Sequence, residues 1–415
     1  MRSHLQRAEK VLERINELAS VSEDEGYISR TYGTKAFIEG RNKVEHWMKE
    51  AGLQTSVDNI GNIRGRLLSG NDHAKTLVIA SHIDTVINAG RFDGPLGVLM
   101  GLDLLAELSS SNAVLPFHIE LIGFCDEEGS RFHTAYLGST AVTGSFEESL
   151  LTTKDANGIT LREVIIENGG DVNKLSKDAI AKQEWLGYFE IHIEQGPVLY
   201  EKNIPVGLVT AIAGQVRVGI IFNGELGHAG TVPMAMRKDA LACAAEFIQE
   251  TEKFAANNKA IVATVGKLHI INAASNVIPA EVICSLDLRS ADENELSSAY
   301  KAVKNMAEDI CKKRGIVLEW SLIQRTKPVG CDERMNKLLE ESLTVSGYEA
   351  VKMVSGAGHD AVPVSEVSPV AMLFVKCFKG ISHNPAEDVA SADIAAAIRV
   401  SDNFIQQLIK QKGHE

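Results

Sequence analysis

The chain has 415 residues, of which 45% are hydrophobic and 23% are charged, and its formal net charge is −13. This length predicts about two domains, and the composition is typical of a soluble globular protein. The acidic balance argues against a nucleic-acid surface, which needs basic patches, and against binding to anionic membranes.

The N-terminal segment carries charges every few positions, so we do not expect a signal peptide. No run of about 18 apolar residues suggests a membrane-spanning helix. The six cysteines are scattered and form no CxxC pair. We interpret them as reduced thiols, which suits a cytoplasmic protein.

The outer parts of the chain alternate between helix and strand patterns. Amphipathic or strongly apolar stretches predict helices over 5–19, 35–51 and 94–108. Solidly apolar runs predict strands that are covered on both faces, at 76–81, 117–124, 188–196 and 370–377. Residues 57–67 alternate like a pair of strands. Helices between buried strands predict an α/β sheet protein.

The segment from 216 to 325 has a different order. Its strands are predicted at 216–223, 261–270, 281–289 and 316–324, and its helices at 236–256 and 293–313. This βαββαβ order is the ferredoxin-like split motif. We expect an inserted α+β domain over 213–328, within an α/β domain made of 1–212 and 329–415.

Metal-binding types of side chain lie at the ends of four predicted strands and at the start of one helix. They are His82, the run Asp126-Glu127-Glu128, His192, His383 and, at the helix start, Asp93. Each alone is weak evidence, because a lone histidine is more often structural and an Asp-Glu-Glu run is more often a solvated loop. Ligands collect at the carboxyl ends of the strands in such sheets, so we expect these side chains to meet.

Imidazole and carboxylate groups suit Zn, Mn, Ni or Co, and no cysteine is offered. Five ligands are too many for one tetrahedral ion. They suit two ions about 3.5–4 Å apart that share a bridging carboxylate. One glutamate of the pair would then be free to act as a general base. Asp84, two residues after His82, is predicted to accept the other imidazole N–H.

The motifs SHIDTV, FDGPLG, DEEGSRF, HIEQGP and SGAGHDA…GISHNPAE resemble those of the M20 di-metal peptidase-like group, in its ureido-hydrolysing branch. The resemblance covers nearly the whole chain. Ala80-Ser81-His82 stands where Gly-Ser-His is commoner, and an alanine there should not disturb the ligand. The resemblance implies a di-zinc-peptidase-like catalytic domain with a mixed sheet flanked by helices, an inserted dimerisation or lid domain, and a homodimer.

The resemblance also implies roles for the clustered residues. Two divalent metal ions per subunit, Mn in the active enzyme or Zn in the structure, would be held by His82, Asp93, Glu128, His192 and His383. Asp93 would bridge the ions, and Glu127 would be the general base. Asp126 is expected to be structural or exposed.

In the inserted domain, residue type alone favours a turn role for His228, and it leaves Arg289 open between a surface arginine and a clamp for a carboxylate. The resemblance instead implies that His228 stabilises the oxyanion, commonly from the partner subunit. It implies that Asn276 and Arg289 hold the substrate carboxylate, with help from a backbone N–H of Gly358. His359 and Asp360 are expected to be structural.

The resemblance implies hydrolysis of a linear ureido C–N bond in a small carboxylate-bearing substrate. We expect allantoate, because Gln215 and Gln195 offer polar partners for its second ureido group. N-carbamoyl-L-amino acids are the main alternative, followed by ureidoglycolate. A di-zinc aminopeptidase would need no clamp of Arg289 and Asn276, and a non-enzymatic binding protein on this fold should have lost ligands.

Overall fold

The computed structural model describes residues 2–111 and 114–413, in which helices and strands alternate. The helices are α1 (His4–Ala19), α2 (Lys35–Glu50), α3 (Pro95–Ser110), α4 (Leu137–Thr143), α5 (Leu161–Glu167), α6 (Val198–Lys202), α7 (Ala240–Ala256), α8 (Glu293–Arg314), α9 (Glu333–Val345), α10 (Ala361–Val364) and α11 (Ser391–Lys412). The strands are β1 (Gln54–Val57), β2 (Ile63–Leu67), β3 (Thr76–His82), β4 (His118–Phe124), β5 (Trp185–Ile193), β6 (Val206–Ile212), β7 (Gly214–Asn223), β8 (Gly227–His228), β9 (Val262–Thr264), β10 (Leu268–Ile270), β11 (Val277–Ile278), β12 (Glu281–Ser290), β13 (Val317–Thr326), β14 (Val329–Gly330), β15 (Lys352–Ser355) and β16 (Val370–Val375).

The chain divides into two compact units. The first unit runs up to Thr210 and resumes at Cys331, and the second is Ala211–Gly330. The expected inserted domain, 213–328, lies two residues inside the second unit at each end. Its role in dimerisation or as a lid stays a prediction.

The first unit is built on a mixed sheet, as expected. Its strands lie in the order β1-β2-β4-β3-β5-β16-β6, and β15 also pairs with β6. The neighbours β4, β3, β5 and β16 are parallel, whereas β1, β2 and β6 are antiparallel to their neighbours. Every residue of β3, β4 and β16 is buried, and helices α3, α9, α10 and α11 pack on the sheet. The four parallel strands therefore end together at one edge.

Helix α3 lies very close to the sheet. A Cβ on Gly97 would be 2.1 Å from the main-chain oxygen of Ile191 on β5, so only glycine fits there. The helix begins with Pro95, after Gly94, whose positive φ of 81° favours glycine. This arrangement fixes Asp93, the residue before the helix, at the edge where the parallel strands end.

The second unit has an antiparallel sheet with helices on one face. Its strands lie in the order β10-β12-β7-β13, and β9 also pairs with β12. Helices α7 and α8 pack on β7 and β12 and bury Val216, Val218, Ile220 and Phe222. The order along the chain is the expected βαββαβ.

Two elements of the second unit differ from the sequence expectation. The strand expected at 261–270 is broken into β9 and β10, because the chain leaves the ladder around Gly266 and rejoins β12 further along. The helix expected from residue 236 begins at Ala240. The side chain of Asp239 caps it by accepting a hydrogen bond from the N–H of Ala242 at 3.0 Å.

No helix among the described residues has the length and apolar character needed to cross a membrane. The six cysteines are all free and buried, as the sequence suggests.

Candidate metal centre

The five expected metal ligands lie around the edge where the parallel strands end. His82 is the last residue of β3, and His192 is the last but one of β5. Glu128 follows β4, and His383 follows β16. Because β3 pairs in parallel with β4 and β5, and β5 with β16, these four residues emerge on one side.

Asp93 is at the centre of the cluster. Its Oδ1 lies 3.2 Å from Nε2 of His192 and 3.6 Å from Nε2 of His82. Its Oδ2 lies 3.2 Å from Nε2 of His383, which is also 3.2 Å from Oε1 of Glu128. One carboxylate thus faces imidazoles on both sides, which is the arrangement that a bridging ligand requires.

Three overlapping groups of donor atoms fall within 4.8 Å of one another. They are His82 with Asp93 and His192, His82 with Glu127 and Glu128, and Asp93 with Glu128 and His383. The structure therefore brings together all five expected ligands and the expected base. The donors are imidazoles and carboxylates only, a set that fits divalent cations such as Zn²⁺ or Mn²⁺.

The pKa values in the cluster reflect crowded, opposite charges. Burial alone would raise the pKa of Asp93, but its three imidazole partners hold it well below the usual range. Burial alone would lower the pKa of His82, yet the nearby carboxylates of Asp84 and Asp93 raise it well above the usual range. Burial raises the pKa of Glu127, and repulsion from Glu128 adds to this although His82 opposes it. Glu127 is therefore suited to holding a proton.

Asp84 supports the two glutamates. Its carboxylate accepts hydrogen bonds from the main-chain N–H groups of Glu127 at 3.1 Å and Glu128 at 3.3 Å. The nearest Asp84 atom to Nδ1 of His82 is the main-chain oxygen, at 3.1 Å, and the carboxylate is 3.6 Å away. Asp84 thus lies beside His82 as expected, while its carboxylate fixes the loop that carries the glutamates.

Asp126 is fully buried, so of the two outcomes expected for it, a structural role or exposure, exposure is excluded. Its φ is 50°, and its carboxylate oxygens have no hydrogen-bond partner among the described residues. Burial and the charge of Asp84 raise the pKa of Asp126 well above the usual range. The turn after β4 points this side chain inward, so that Glu127 and Glu128 can face the cluster.

Sequence reasoning did not find the residues that hold Asp93. Oε1 of Glu387 accepts hydrogen bonds from the main-chain N–H groups of Phe92 at 2.6 Å and Asp93 at 3.1 Å. The hydroxyl of Ser382 donates to the Asp93 carboxylate and lies 3.2 Å from Oε2 of Glu387. Both lie in the ISHNPAE motif, where only His383 was singled out.

Gln195 is a further partner of Asp93. Its Nε2 donates to Oδ2 of Asp93 at 2.8 Å, and its Oε1 is buried without a hydrogen-bond partner among the described residues. The amide group therefore steadies the central carboxylate, and its oxygen is the atom left for a ligand. Contact with substrate stays a prediction.

Two residues expected to be structural lie behind the cluster. The ring of His359 meets that of His192 edge-on at 4.5 Å, and its Nε2 is 2.8 Å from Oγ of Ser355. Asp360 accepts a hydrogen bond from Ser139 at 2.5 Å. Gly358 precedes them, and a Cβ there would be 1.9 Å from the hydroxyl of Tyr136.

In the second unit, the expected substrate residues His228 and Asn276 lie close together. His228 on β8 lies opposite Val277, and the N–H of Ala229 donates to the main-chain oxygen of Asn276 at 2.9 Å. Nδ1 of His228 accepts from the N–H of Gly230 at 3.1 Å, so Nε2 carries the proton of the neutral ring.

Gln215 on β7 is the residue directly opposite Arg289 on β12. These two side chains therefore lie together on one face of the second unit's sheet.

Comparison with known proteins agrees with this geometry. Residues 78–407 match peptidase family M20/M25/M40. The chain belongs to this family. It is 35% identical to allantoate deiminase 2 of Glycine max, over 96% of this chain and 89% of the relative. It is 36% identical to the N-carbamoyl-L-amino acid amidohydrolase of Geobacillus stearothermophilus, over 96% and 98%.

Among solved structures, a hydantoinase/carbamoylase-family amidase from Burkholderia multivorans superposes with a TM-score of 0.91. The two chains are 32% identical, and the match covers 96% of this chain and 97% of the other. The resemblance to the M20 family is confirmed, and with it the mixed α/β fold.

Proposed function

We propose that the protein hydrolyses the terminal carbamoyl C–N bond of allantoate and releases ureidoglycine, ammonia and carbon dioxide. The observation that carries this proposal is the cluster of three histidines, Asp93 and Glu128, with Glu127 beside it; His82, His192, Asp93 and Glu127 are buried. Its donors suit two divalent cations, and relatives of the chain named as allantoate deiminases and carbamoyl-amino-acid amidohydrolases cover it almost completely.

The proposed ligands are His82, Asp93, Glu128, His192 and His383, with Asp93 shared between two ions. Two divalent cations at this position would polarise the carbonyl oxygen and lower the pKa of water. Glu127 takes the proton from the attacking water and passes it to the departing nitrogen. Its raised pKa supports both halves of this task, because the carboxyl group can hold the proton between the two transfers.

The second unit supplies groups for the substrate. His228 donates from Nε2 to the oxygen on which negative charge develops, and in a homodimer this donor comes from the partner subunit. Arg289 and Asn276 hold the substrate carboxylate, because a guanidinium binds a carboxylate through two parallel hydrogen bonds. The backbone N–H of Gly358 adds a third donor.

Allantoate is favoured over N-carbamoyl-L-amino acids because Gln215 lies beside Arg289. The far ureido arm of allantoate needs polar partners, and an unpaired polar group costs about 1–3 kcal/mol. Gln195 offers a second amide near the cluster. Hydrolysis of N-carbamoyl-L-amino acids is the second candidate, supported by the relative from Geobacillus stearothermophilus.

Manganese is the activator we propose, and zinc fits the same donors. We also propose that the protein is a homodimer and that it is located in the cytoplasm. The six buried, free cysteines support a reducing compartment.

Ammonia release by metal-stripped protein, reconstituted with Mn²⁺, tests the function. Allantoate and N-carbamoyl-L-methionine are compared side by side, and we expect allantoate to be turned over faster. Faster release from N-carbamoyl-L-methionine would select the second candidate. Release from neither substrate would reject the proposed reaction.

A further inference from the structure

The sheet of the second unit has one face that the helices do not cover. Along β7, Val216 and Val218 point toward α7 and α8, whereas Gln215 and Arg217 point to the opposite face. The facing strand β12 places Arg289 opposite Gln215 on that same face. We propose above that Arg289 and Gln215 contact the substrate.

One carboxylate connects these side chains. Asp287, two residues before Arg289, accepts hydrogen bonds from Nε of Arg289 at 2.9 Å and from its Nη2 at 3.1 Å. The same carboxylate accepts from Nε2 of Gln215 at 2.5 Å and from Nε of Arg217 at 3.3 Å. Asp287 is therefore the common acceptor for three side chains on two strands.

The charge of Asp287 determines how its partners point. Burial alone would raise its pKa, but the hydrogen bonds and charge of Arg289, with Gln215 and Arg217, lower it. The group is thus an ionised carboxylate at neutral pH, and such a group only accepts hydrogen bonds. Gln215 must turn its NH₂ toward Asp287, so its Oε1 points away from the carboxylate.

We infer that Asp287 is a positioning residue that orients two substrate-recognising groups at once. Asp287 binds the Nε side of the Arg289 guanidinium and so orients this group toward the substrate carboxylate. Asp287 also binds the NH₂ of Gln215, so that Gln215 presents its carbonyl oxygen to N–H donors of the substrate. This inference rests on the proposed function and deepens it, since it assigns the choice between substrates to the Asp287–Gln215 pair.

The substrates differ in what Oε1 of Gln215 would meet. The far arm of allantoate is a second ureido group, which carries N–H donors. The side chain of N-carbamoyl-L-methionine carries none, so Oε1 would be left without a partner on binding. Both substrates have the carboxylate that Arg289 is proposed to hold. A change at Asp287 should therefore weaken binding of both substrates through Arg289. It should weaken binding of allantoate further through Gln215.

Steady-state kinetics of Asp287→Asn, Gln215→Leu and the double variant separate these effects. We expect Asp287→Asn to raise KM for both substrates, and to raise it about tenfold further for allantoate, with kcat changed little. In the Gln215→Leu background, Asp287→Asn should raise both KM values by the same factor, since no amide remains to be oriented.

Glu319→Gln is the matched control. Glu319 on β13 accepts a hydrogen bond from Nδ2 of Asn223 at 2.9 Å on the same face. Asn223 is eight residues along β7 from Gln215, or roughly 27 Å at the strand rise. This variant removes a carboxylate–amide contact of the same kind and should leave both KM values unchanged.

An unchanged ratio of the two KM values in Asp287→Asn would overturn the inference while leaving the proposed function intact. The activity of the wild-type protein decides the function separately. A crystal structure of Asp287→Asn gives a readout that needs no turnover. We expect the side chains of Arg289 and Gln215 to be displaced in this variant. If both side chains keep their wild-type positions, the inference is overturned, whatever the substrate of the enzyme.

Discussion

Glu387 holds Asp93 in place by accepting a hydrogen bond from its main-chain N–H at 3.1 Å. The same Oε1 accepts from the N–H of Phe92, and Oε2 reaches Ser382, which donates to the Asp93 carboxylate. The chain makes room for this side chain at Gly90, where a Cβ would be 2.2 Å from Cδ of Glu387. The main chain and the carboxylate of Asp93 are thus both fixed by one buried glutamate.

We expect Glu387→Ala to weaken metal binding by about 10–100-fold, because a ligand that is no longer oriented must be ordered when the metal binds. Competition with a chelator measures the affinity. Asp388→Asn is the control, since Asp388 is the adjacent carboxylate but it is exposed and its partner is Arg91, at 2.8 Å. Equal affinities of a folded Glu387→Ala protein and the wild type would refute this role.

The expected ligands could be found from the sequence because parallel strands end at one edge of a sheet. His82 and His192 lie at the ends of apolar runs that are easily recognised as buried strands, and Glu128 follows another. The strand positions are set by local patterns, and the parallel pairing then brings together side chains that are far apart in the sequence. Periodicity and residue type are sufficient for this step.

The supporting contacts could not be found in this way. Glu387 bonds the N–H of Asp93 across 294 positions of the chain, and the contact depends on loop conformation. Asp126 looks like a solvated residue in the sequence, and only a φ of 50° turns it inward. The break in the strand expected at 261–270 likewise depends on where β12 offers partners. Long-range hydrogen bonds and backbone turns carry no periodic signal.

Protons compete with metal ions for the cluster. Hydrogen bonds to Asp93 and Glu128 raise the pKa of His383 to about 10 in the metal-free protein, although burial opposes this. Burial would lower the pKa of His192, but its hydrogen bond to Asp93 raises it. A metal binds only the neutral imidazole, so these protons must leave. We expect the apparent metal affinity to increase as pH rises toward about 10, by up to about tenfold per pH unit for each proton displaced.

Calorimetric titration of metal-stripped protein, in two buffers that differ in ionisation enthalpy, counts the protons released. His383→Gln should release fewer protons than the wild type at the same pH. Binding with no proton release at neutral pH would show that the imidazoles are already neutral.

The role of Glu127 as the base can be tested separately from metal binding. Glu127→Gln should keep both metals, because none of the five proposed ligands is changed, and should lower kcat by about 10²–10⁴-fold. Metal content and ammonia release are measured on the same sample. Glu167→Gln, at an exposed position at the end of α5, is the control for charge. Turnover retained in Glu127→Gln would remove Glu127 from the mechanism.

The hydroxyl of Tyr136 occupies the space that a side chain at Gly358 would need. A Cβ at residue 358 would be 1.9 Å from that oxygen but 3.2 Å from the ring carbon Cζ that bears it. We expect Gly358→Ala to lower the free energy of unfolding by about 1–3 kcal/mol, as overpacking does. In a Tyr136→Phe background the same change should cost much less, because the clashing atom is gone. Urea unfolding of the four proteins measures this coupling. Equal costs in the two backgrounds would mean that the tyrosine moves aside freely.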